Sequence, residues 1–380
     1  MIMKLSASRK WIPAVAVPVL IGTVVLGSSL AAKAEPTLPP KSAAELLAMV
    51  ANNDVRAFSG QLSASTDLGL PQLPDTGALG SNKQGMSEQG HSSPATASVS
   101  AILGLLSGTH QARVYVDGPA KARLQVFNGM NERNLIRNGS SLWSYDSANR
   151  TATHAILPAS AGHHAPDASS MPTPDELAKT LLAKIEPGTD VSVGTASTIA
   201  GRDAYELTLS PKTGSSLVAE VQIGIDAQTG MALNVTVDAV GQSDPAISLG
   251  FTSFTPQAPN ASLFDFTPPP GATVREQKLP TPPATNHPAT GVKDRQSMAK
   301  KPTAAPNFVK GHGWDAVVVI PAKDVPAQLS GNKELSMLAT PVSGGKLLHT
   351  SLFNVLIRDD GSVAAGMVPL EVLQSAAGTR

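Results

Sequence analysis

The residue types able to do chemistry are few in this sequence and widely spaced. His163 and His164 with Asp167 are a grouping of metal-ligand types, but no fourth ligand follows at a useful spacing. Their surroundings are rich in Pro, Ser and Ala, so a solvated loop is the better reading. Gly311-His312-Gly313 and Ser343-Gly344-Gly345-Lys346 read as turns rather than phosphate cradles. No G-x-S-x-G elbow, H-E-x-x-H pair, P-loop or dinucleotide-binding glycine motif occurs. The chain has no cysteine, which removes disulfides, thiol catalysis and thiolate metal sites together. Lys plus Arg and Asp plus Glu balance at 29 each, so nothing argues for nucleic acid as a general partner. The expectation is a binding protein, not an enzyme, with no cofactor and no metal.

The N-terminus carries an address. Lys4, Arg9 and Lys10 precede Trp11 to Ala32, a run without a charged side chain, and Ala32-Lys33-Ala34 ends it as a small-x-small triplet. That is the three-part layout of a secretory signal. The run is also long enough for an uncleaved anchor, since about 20 apolar residues span a bilayer as a helix. Residues 1–34 are therefore expected to be either a signal cleaved after Ala34 or a membrane anchor. In both cases the protein is expected outside the cytoplasm, in the cell envelope. The roughly 345 residues that follow are enough for a sizeable core.

The elements that must position any site follow from periodicity. Ser42 and Glu45 have capping-box spacing, and Leu46, Leu47 and Val50 fall on one helical face behind them. From Phe58 the period changes to two, and a half-buried strand is expected. Residues 71–100 read as a flexible insertion that ends in a short apolar helix from Ala101 to Leu106. Strands then follow one another from Gln111 to Leu157, with Asn138-Gly139 as a strong hairpin signal. Thr173-Pro174-Asp175-Glu176 opens a second helix, whose buried face is expected to be Leu177, Leu181 and Ile185. Strands resume from Val191, and the pair around Asp226 to Gly230 is the clearest hairpin. The run closes on Phe264-Asp265-Phe266 and Pro268-Pro269-Pro270-Gly271. Residues 275–311 shift to Pro, Thr and Lys and read as a linker. Residues 312–380 read as a small α+β unit that at this size is expected to dock rather than fold alone.

Four stretches in this order carry a resemblance. They are Ala57-Phe58-Ser59-Gly60, Leu142-Trp143-Ser144-Tyr145-Asp146, Gly201-Arg202-Asp203-Ala204-Tyr205-Glu206-Leu207 leading to Ile223-Gly224-Ile225-Asp226, and Leu263-Phe264-Asp265-Phe266 through Pro270-Gly271-Ala272. Over residues 41–274 the chain resembles the LolA/LolB-like superfamily of exported lipoprotein and lipid carriers, in the form found in high-GC Gram-positive bacteria. The resemblance implies an α+β, mainly β fold for residues 35–274. An open half-barrel of antiparallel strands would wrap around short helices, with an apolar cavity between them for acyl chains. The insertion, the linker and the C-terminal unit depart from the family pattern.

Apolar positions expected to line that cavity are Phe58, Leu62, Leu124, Val126, Trp143, Tyr145, Leu207, Val221, Ile223, Val235 and Val237 from strands. Leu177 and Leu181 join them from the second helix. Trp143 and Tyr145 share a face and combine an apolar body with a polar tip, which suits a cavity mouth. The leading function is a carrier whose partners are lipid or lipoprotein acyl chains. An envelope-stress sensor acting on a membrane-protein partner is the alternative, and a hydrolase with an unrecognised site is a third class.

Overall fold

In the computed structural model, residues 36–69, 108–157, 172–183, 187–277, 308–325 and 338–378 are described. The export segment with Ala34, the 71–100 insertion, the Ala101–Leu106 helix, the His163-His164-Asp167 grouping and most of the linker lie outside them.

Helix α1 (Ala43–Ala51) begins as its sequence dictates. The Ser42 hydroxyl accepts the Glu45 backbone N–H at 3.3 Å, and the Glu45 carboxylate accepts the Ser42 N–H at 2.7 Å. The same reciprocal cap between Thr173 and Glu176 opens α2 (Pro174–Leu182), with Pro at the first turn. The buried residues of α2 differ from expectation. Ala178 is fully buried and Asp175 nearly so, while Leu177 and Leu181 are only partly buried beside them. The helix approaches the sheet closely, and a small side chain permits that approach. Asp175 is tolerated at depth because Asn53 Nδ2 donates to it at 3.0 Å, Lys179 pairs with it at 3.0 Å, and the Ala232 N–H reaches it at 3.3 Å.

The main sheet is built from β1 (Ala57–Thr66), β2 (Gly108–Asp117), β3 (Lys121–Asn128), β4 (Asn131–Asn138), β5 (Ser141–Asp146), β6 (Thr151–Ile156), β7 (Thr189–Val193), β8 (Ser197–Ile199), β9 (Arg202–Pro211), β10 (Val218–Asp226), β11 (Ala232–Ala239), β12 (Ile247–Thr255) and β13 (Thr273–Gln277). Its order is β13-β6-β5-β4-β3-β2-β1-β12-β11-β10-β9-β7, with β8 on β9. The sheet is open, its two edges unpaired with each other, so the chain is the mainly β, α+β half-barrel that the strand pattern implies. All pairings are antiparallel except β13 on β6. That last strand was not expected: Arg275 to Gln277, read as the start of a linker, complete it.

Between the sheet's last long strand and β13 the chain crosses the outer face. A 3₁₀ turn (Ala261–Phe264) buries Phe264, and the Arg123 guanidinium donates to the Leu263 carbonyl at 3.0 Å. Phe266 then packs on Trp143 and Tyr145, with ring centroids 5.3 and 5.8 Å away.

A second sheet comprises β14 (Val309–Lys310), β15 (Val317–Ile320), β16 (Thr340–Val342), β17 (Gly345–His349), β18 (Asn354–Arg358) and β19 (Val363–Gly366), closed by α3 (Leu370–Ala377). The apolar run from Leu347 to Ile357 is a hairpin rather than one strand, because Thr350 turns the chain by accepting the Phe353 N–H at 2.9 Å. The turn pushes Leu352 and Phe353 into the core of the main sheet beside Leu68, Leu46 and Val50. Main-chain bonds from Ser351 to Leu68 and from Leu217 to Met367, and Trp314 Nε1 donating to Thr189, fasten this sheet to the larger one.

One ion pair fixes the β9–β10–β11 corner. Asp226 is completely buried, and Arg202 meets it in a two-point fork at 2.8 and 2.9 Å while Thr229 donates from its backbone and hydroxyl. Gly230 follows at φ +75, where the carbonyl of Met49 in α1 lies 2.7 Å from the place a Cβ would take. Only glycine lets the helix and this turn meet. Arg202→Ala leaves a buried carboxylate without its countercharge and is expected to cost roughly 3 kcal/mol. A lowered urea midpoint at unchanged slope is the expected reading, and a midpoint equal to wild type would refute it.

Candidate functional site

Strand register sorts every side chain onto one of two faces. Paired residues share a face, so the chain of partners Leu142–Arg137–Ala122–Val116–Phe58 fixes one side of β5 through β1. The other side is fixed by Trp143–Ile136–Arg123–Tyr115–Ser59.

The first face is the helix-bearing one. On β9 to β12 it holds Leu207, Val221, Ile223 and Val235, all buried, with Val237 partly buried beside them. Helices α1 and α2 cover this half with Leu46, Val50 and Ala178, and Leu177 and Leu181 flank the contact. Here the expected cavity positions are filled by the protein's own helices.

The face continues across β11, β12 and β1 to β3 as a second cluster. Phe58, Leu62, Ala112, Val114, Met231, Leu233, Phe251 and Phe254 are buried, and Val116, Leu124 and Val126 lie half-buried against them. A bulge between Gln61 and Leu62 brings Phe251 and Phe254 onto the same side of β12. With Phe58 they form a ring triad at 5.0 to 6.1 Å. Gly60 makes room for it: a Cβ there would stand 2.6 Å from the Phe251 ring. At the margin of this strip is a cavity of about 230 Å³. Phe58, Val116 and Met231 give it an apolar floor, and the Arg56–Asp54 and Lys179–Asp175 pairs stand at its rim.

Of the thirteen expected cavity residues, nine lie on this face and Leu177 and Leu181 pack toward it from α2. Trp143 and Tyr145 do not. They sit on the outer face under Phe266, where Trp143 also stacks on His154 with centroids 4.4 Å apart. Phe251, Phe254, Met231, Val114 and Val116 were not among the expected cavity positions. Phe254 escapes a period-two reading because the bulge shifts the alternation after Phe251.

The outer face is polar. On β9 to β11 it carries Glu206, Glu220 and Asp238, none in an ion pair among the described residues. Glu206 and Asp238 are both held above the usual carboxylate range, by burial first and then by the negative charge of Glu220. Near β13 it carries a relay from three strands. His154 Nδ1 lies 3.0 Å from Glu276, and its Nε2 lies 2.9 Å from the Ser141 hydroxyl. No cluster of His, Asp and Glu suited to a metal ion occurs among the described residues. Nor is any helix there long and apolar enough to cross a membrane.

The fold and this apolar face define an open half-barrel with a helix-covered side. No protein-family profile matches the chain, and no curated protein matches it. Solved structures do. A chain from the MucA/MucB complex of Pseudomonas aeruginosa overlays at a TM-score of 0.37 and 14% identity, covering 88% of this chain and 96% of that one. A LolA superfamily protein from Nitrosomonas europaea overlays at 0.21 and 10% identity, covering 60% and 99%. A putative outer membrane lipoprotein-sorting protein domain from Vibrio parahaemolyticus overlays at 0.20 and 10%, covering 56% and 92%.

The raised carboxyls give a pH prediction. Their protons are held more tightly in the folded than in the unfolded chain, so stability falls as pH rises through the raised values. Glu220→Gln relieves both neighbours and is expected to raise the melting temperature at pH 7. The gain should vanish below about pH 3, well under the ordinary carboxylate range. A gain that persists unchanged at low pH would show that repulsion is not its source.

Proposed function

We propose that the protein is an extracytoplasmic carrier that holds acyl chains of a lipid or lipoprotein along the helix-bearing face. The single observation behind this reading is the change in burial along one continuous apolar face. Under α1 and α2 it is closed core; at Val116, Leu124 and Val126 it is half-buried and ends beside a cavity. A cavity of 230 Å³ is below the roughly 300–1,000 Å³ usual for a small-molecule pocket. It suits the end of a chain, with the strip of β2 and β3 taking the rest. Each CH₂ removed from water contributes about 0.8 kcal/mol, so a few methylenes on this strip give useful affinity without a polar anchor. The paired charges at the rim fit a headgroup left in water.

An extracytoplasmic address belongs to the same proposal and rests on the N-terminal segment. Mass spectrometry of the mature protein distinguishes its two forms: a chain starting at Glu35 is a soluble shuttle, and an intact N-terminus is an anchored acceptor.

A second reading, an envelope-stress regulator with a membrane-protein partner, is favoured by the second sheet. Leu352 and Phe353 place that sheet in the same core as the helices, so occupancy of the face and the posture of the tail are mechanically linked. Recovery of a membrane anti-sigma protein in a pull-down supports it, and acyl binding alone does not separate the two.

Val126→Asp places a charge on the half-buried strip without opening the closed core. It is expected to lower the affinity for a dansyl-labelled fatty acid at least tenfold while shifting the melting temperature by only a few degrees. Absence of probe binding by the wild type, together with no lipid in the protein as purified, would overturn the carrier reading.

A further inference from the structure

We infer that Ser141, His154 and Glu276 form a Ser–His–carboxylate site for hydrolysis of carboxylic esters with an apolar acyl group. It lies on the outer face, opposite the acyl-binding strip, and stands or falls independently of the carrier reading.

The geometry carries the inference. His154 Nδ1 is 3.1 and 3.0 Å from the two Glu276 carboxylate oxygens. A carboxylate only accepts, so Nδ1 must be the protonated nitrogen, and Nε2 of the neutral ring is then an acceptor. Nε2 is the atom 2.9 Å from the Ser141 Oγ. The serine hydroxyl therefore donates to a base whose tautomer is set from behind, which is the recognition geometry of nucleophile, base and orienting acid. The ring is also held in plane by the Trp143 indole, 4.4 Å away and tilted by only 22°. The imidazole side chain is 18% exposed and Glu276 is 70% exposed, so the base is sheltered while its partner faces water.

The surroundings point to the substrate class. Ile156 pairs with Ser141 across β5 and β6, on the same face, and is 56% exposed. Val274, two residues before Glu276 on the same side of β13, is 49% exposed. Two large apolar side chains thus stand in water on either side of the relay, as a platform for an apolar acyl group would. The backbone N–H of Ser140, in the turn made by Gly139 at φ +63, takes no acceptor among the described residues. It is the main-chain donor left over beside the nucleophile for an ester carbonyl oxygen.

The chemistry balances without a co-reactant. Ser141 Oγ bonds to the ester carbonyl carbon as its proton passes to His154 Nε2. The C–O bond to the leaving alkoxide then breaks, and Nε2 returns that proton to the alcohol. Water attacks the acyl-serine with Nε2 taking its proton, and the carboxylic acid leaves as the proton returns to Ser141. Glu276 touches no reacting atom; it is a positioning residue that holds the tautomer.

The test uses the full-length protein with a fluorescent fluorophosphonate and with p-nitrophenyl butyrate. The expected result is one covalent label per chain, mapped to Ser141 by peptide mass spectrometry, with measurable ester turnover. Ser141→Ala removes the label and the turnover. His154→Phe keeps a ring for Trp143 to stack on and is expected to lower both at least tenfold. Glu276→Gln lowers kcat at unchanged KM, and Glu276→Asp restores part of it, which a merely structural role would not do. Absence of the label in wild type, a label on another residue, or turnover unchanged in Ser141→Ala overturns the inference. The mapped wild-type label decides the matter even where a variant is unstable.

Discussion

Strand β1 is the joint on which the rest of the molecule depends. It pairs with β2 on one side and with β12 on the other, and so connects the β2–β6 meander to the β9–β12 half. Its partner Thr255 lies nearly 200 residues further along the chain, so this pairing carries a large loop-closure cost that burial must offset. Side chains alternate with period two, and a slip of one residue here would turn the whole of one half inside out relative to the other. What prevents the slip is the Phe58, Phe251 and Phe254 triad across Gly60. Those rings pack in one register only, because any other residue than glycine opposite Phe254 would occupy the space Phe251 fills.

Holding that register gives the sheet two faces of opposite chemistry. Toward the helices there is one apolar surface, closed where α1 and α2 lie on it and half-open where they do not. Away from them are carboxylates that repel each other, a His–Glu pair and a strap of aromatic residues. The longer apolar strip, running through Val116, Leu124 and Val126, lies on the first face. The His154–Glu276 pair lies on the second, with Glu276 facing water.

Much of the fold is legible in the sequence because the informative features are local. The caps at Ser42 and Thr173 and the alternation of β10 and β11 each depend on residues within a few positions of one another and appear as read, while the hairpin read at Asn138-Gly139 forms one residue later, with Gly139 and Ser140 as its turn. Nine of the eleven expected strand positions share a face for the same reason: alternation within a strand is a local signal. What failed to show required knowledge of a distant partner. Trp143 and Tyr145 alternate correctly with Leu142 and Ser144, but which parity meets the helices is set five strands away, at β12. Leu177 and Leu181 look like the buried face of α2 by size; the close approach of the sheet selects Ala178 instead. Phe254 is hidden by a bulge. Ser141, His154 and Glu276 come from three strands with no common motif, and Glu276 sits in a segment whose composition reads as linker.

The missing cysteines explain why the tail is where it is. A unit of about 70 residues has too little interior to be secure alone, and with no cysteine in the chain it has no disulfide to hold it. The second sheet solves the problem by sharing a core. Leu352, buried at 4% exposure, belongs to the same cluster as Leu46, Val50 and Ile223, with Trp314 and Phe353 packed at its margin. A close-packed cluster transmits displacement because it has no slack. An acyl chain that nudged α1 or α2 away from the sheet would thus disturb the seat of Leu352, and a partner that pulled on the tail would loosen the helices. The stabilising contact is also the mechanical link between the two parts.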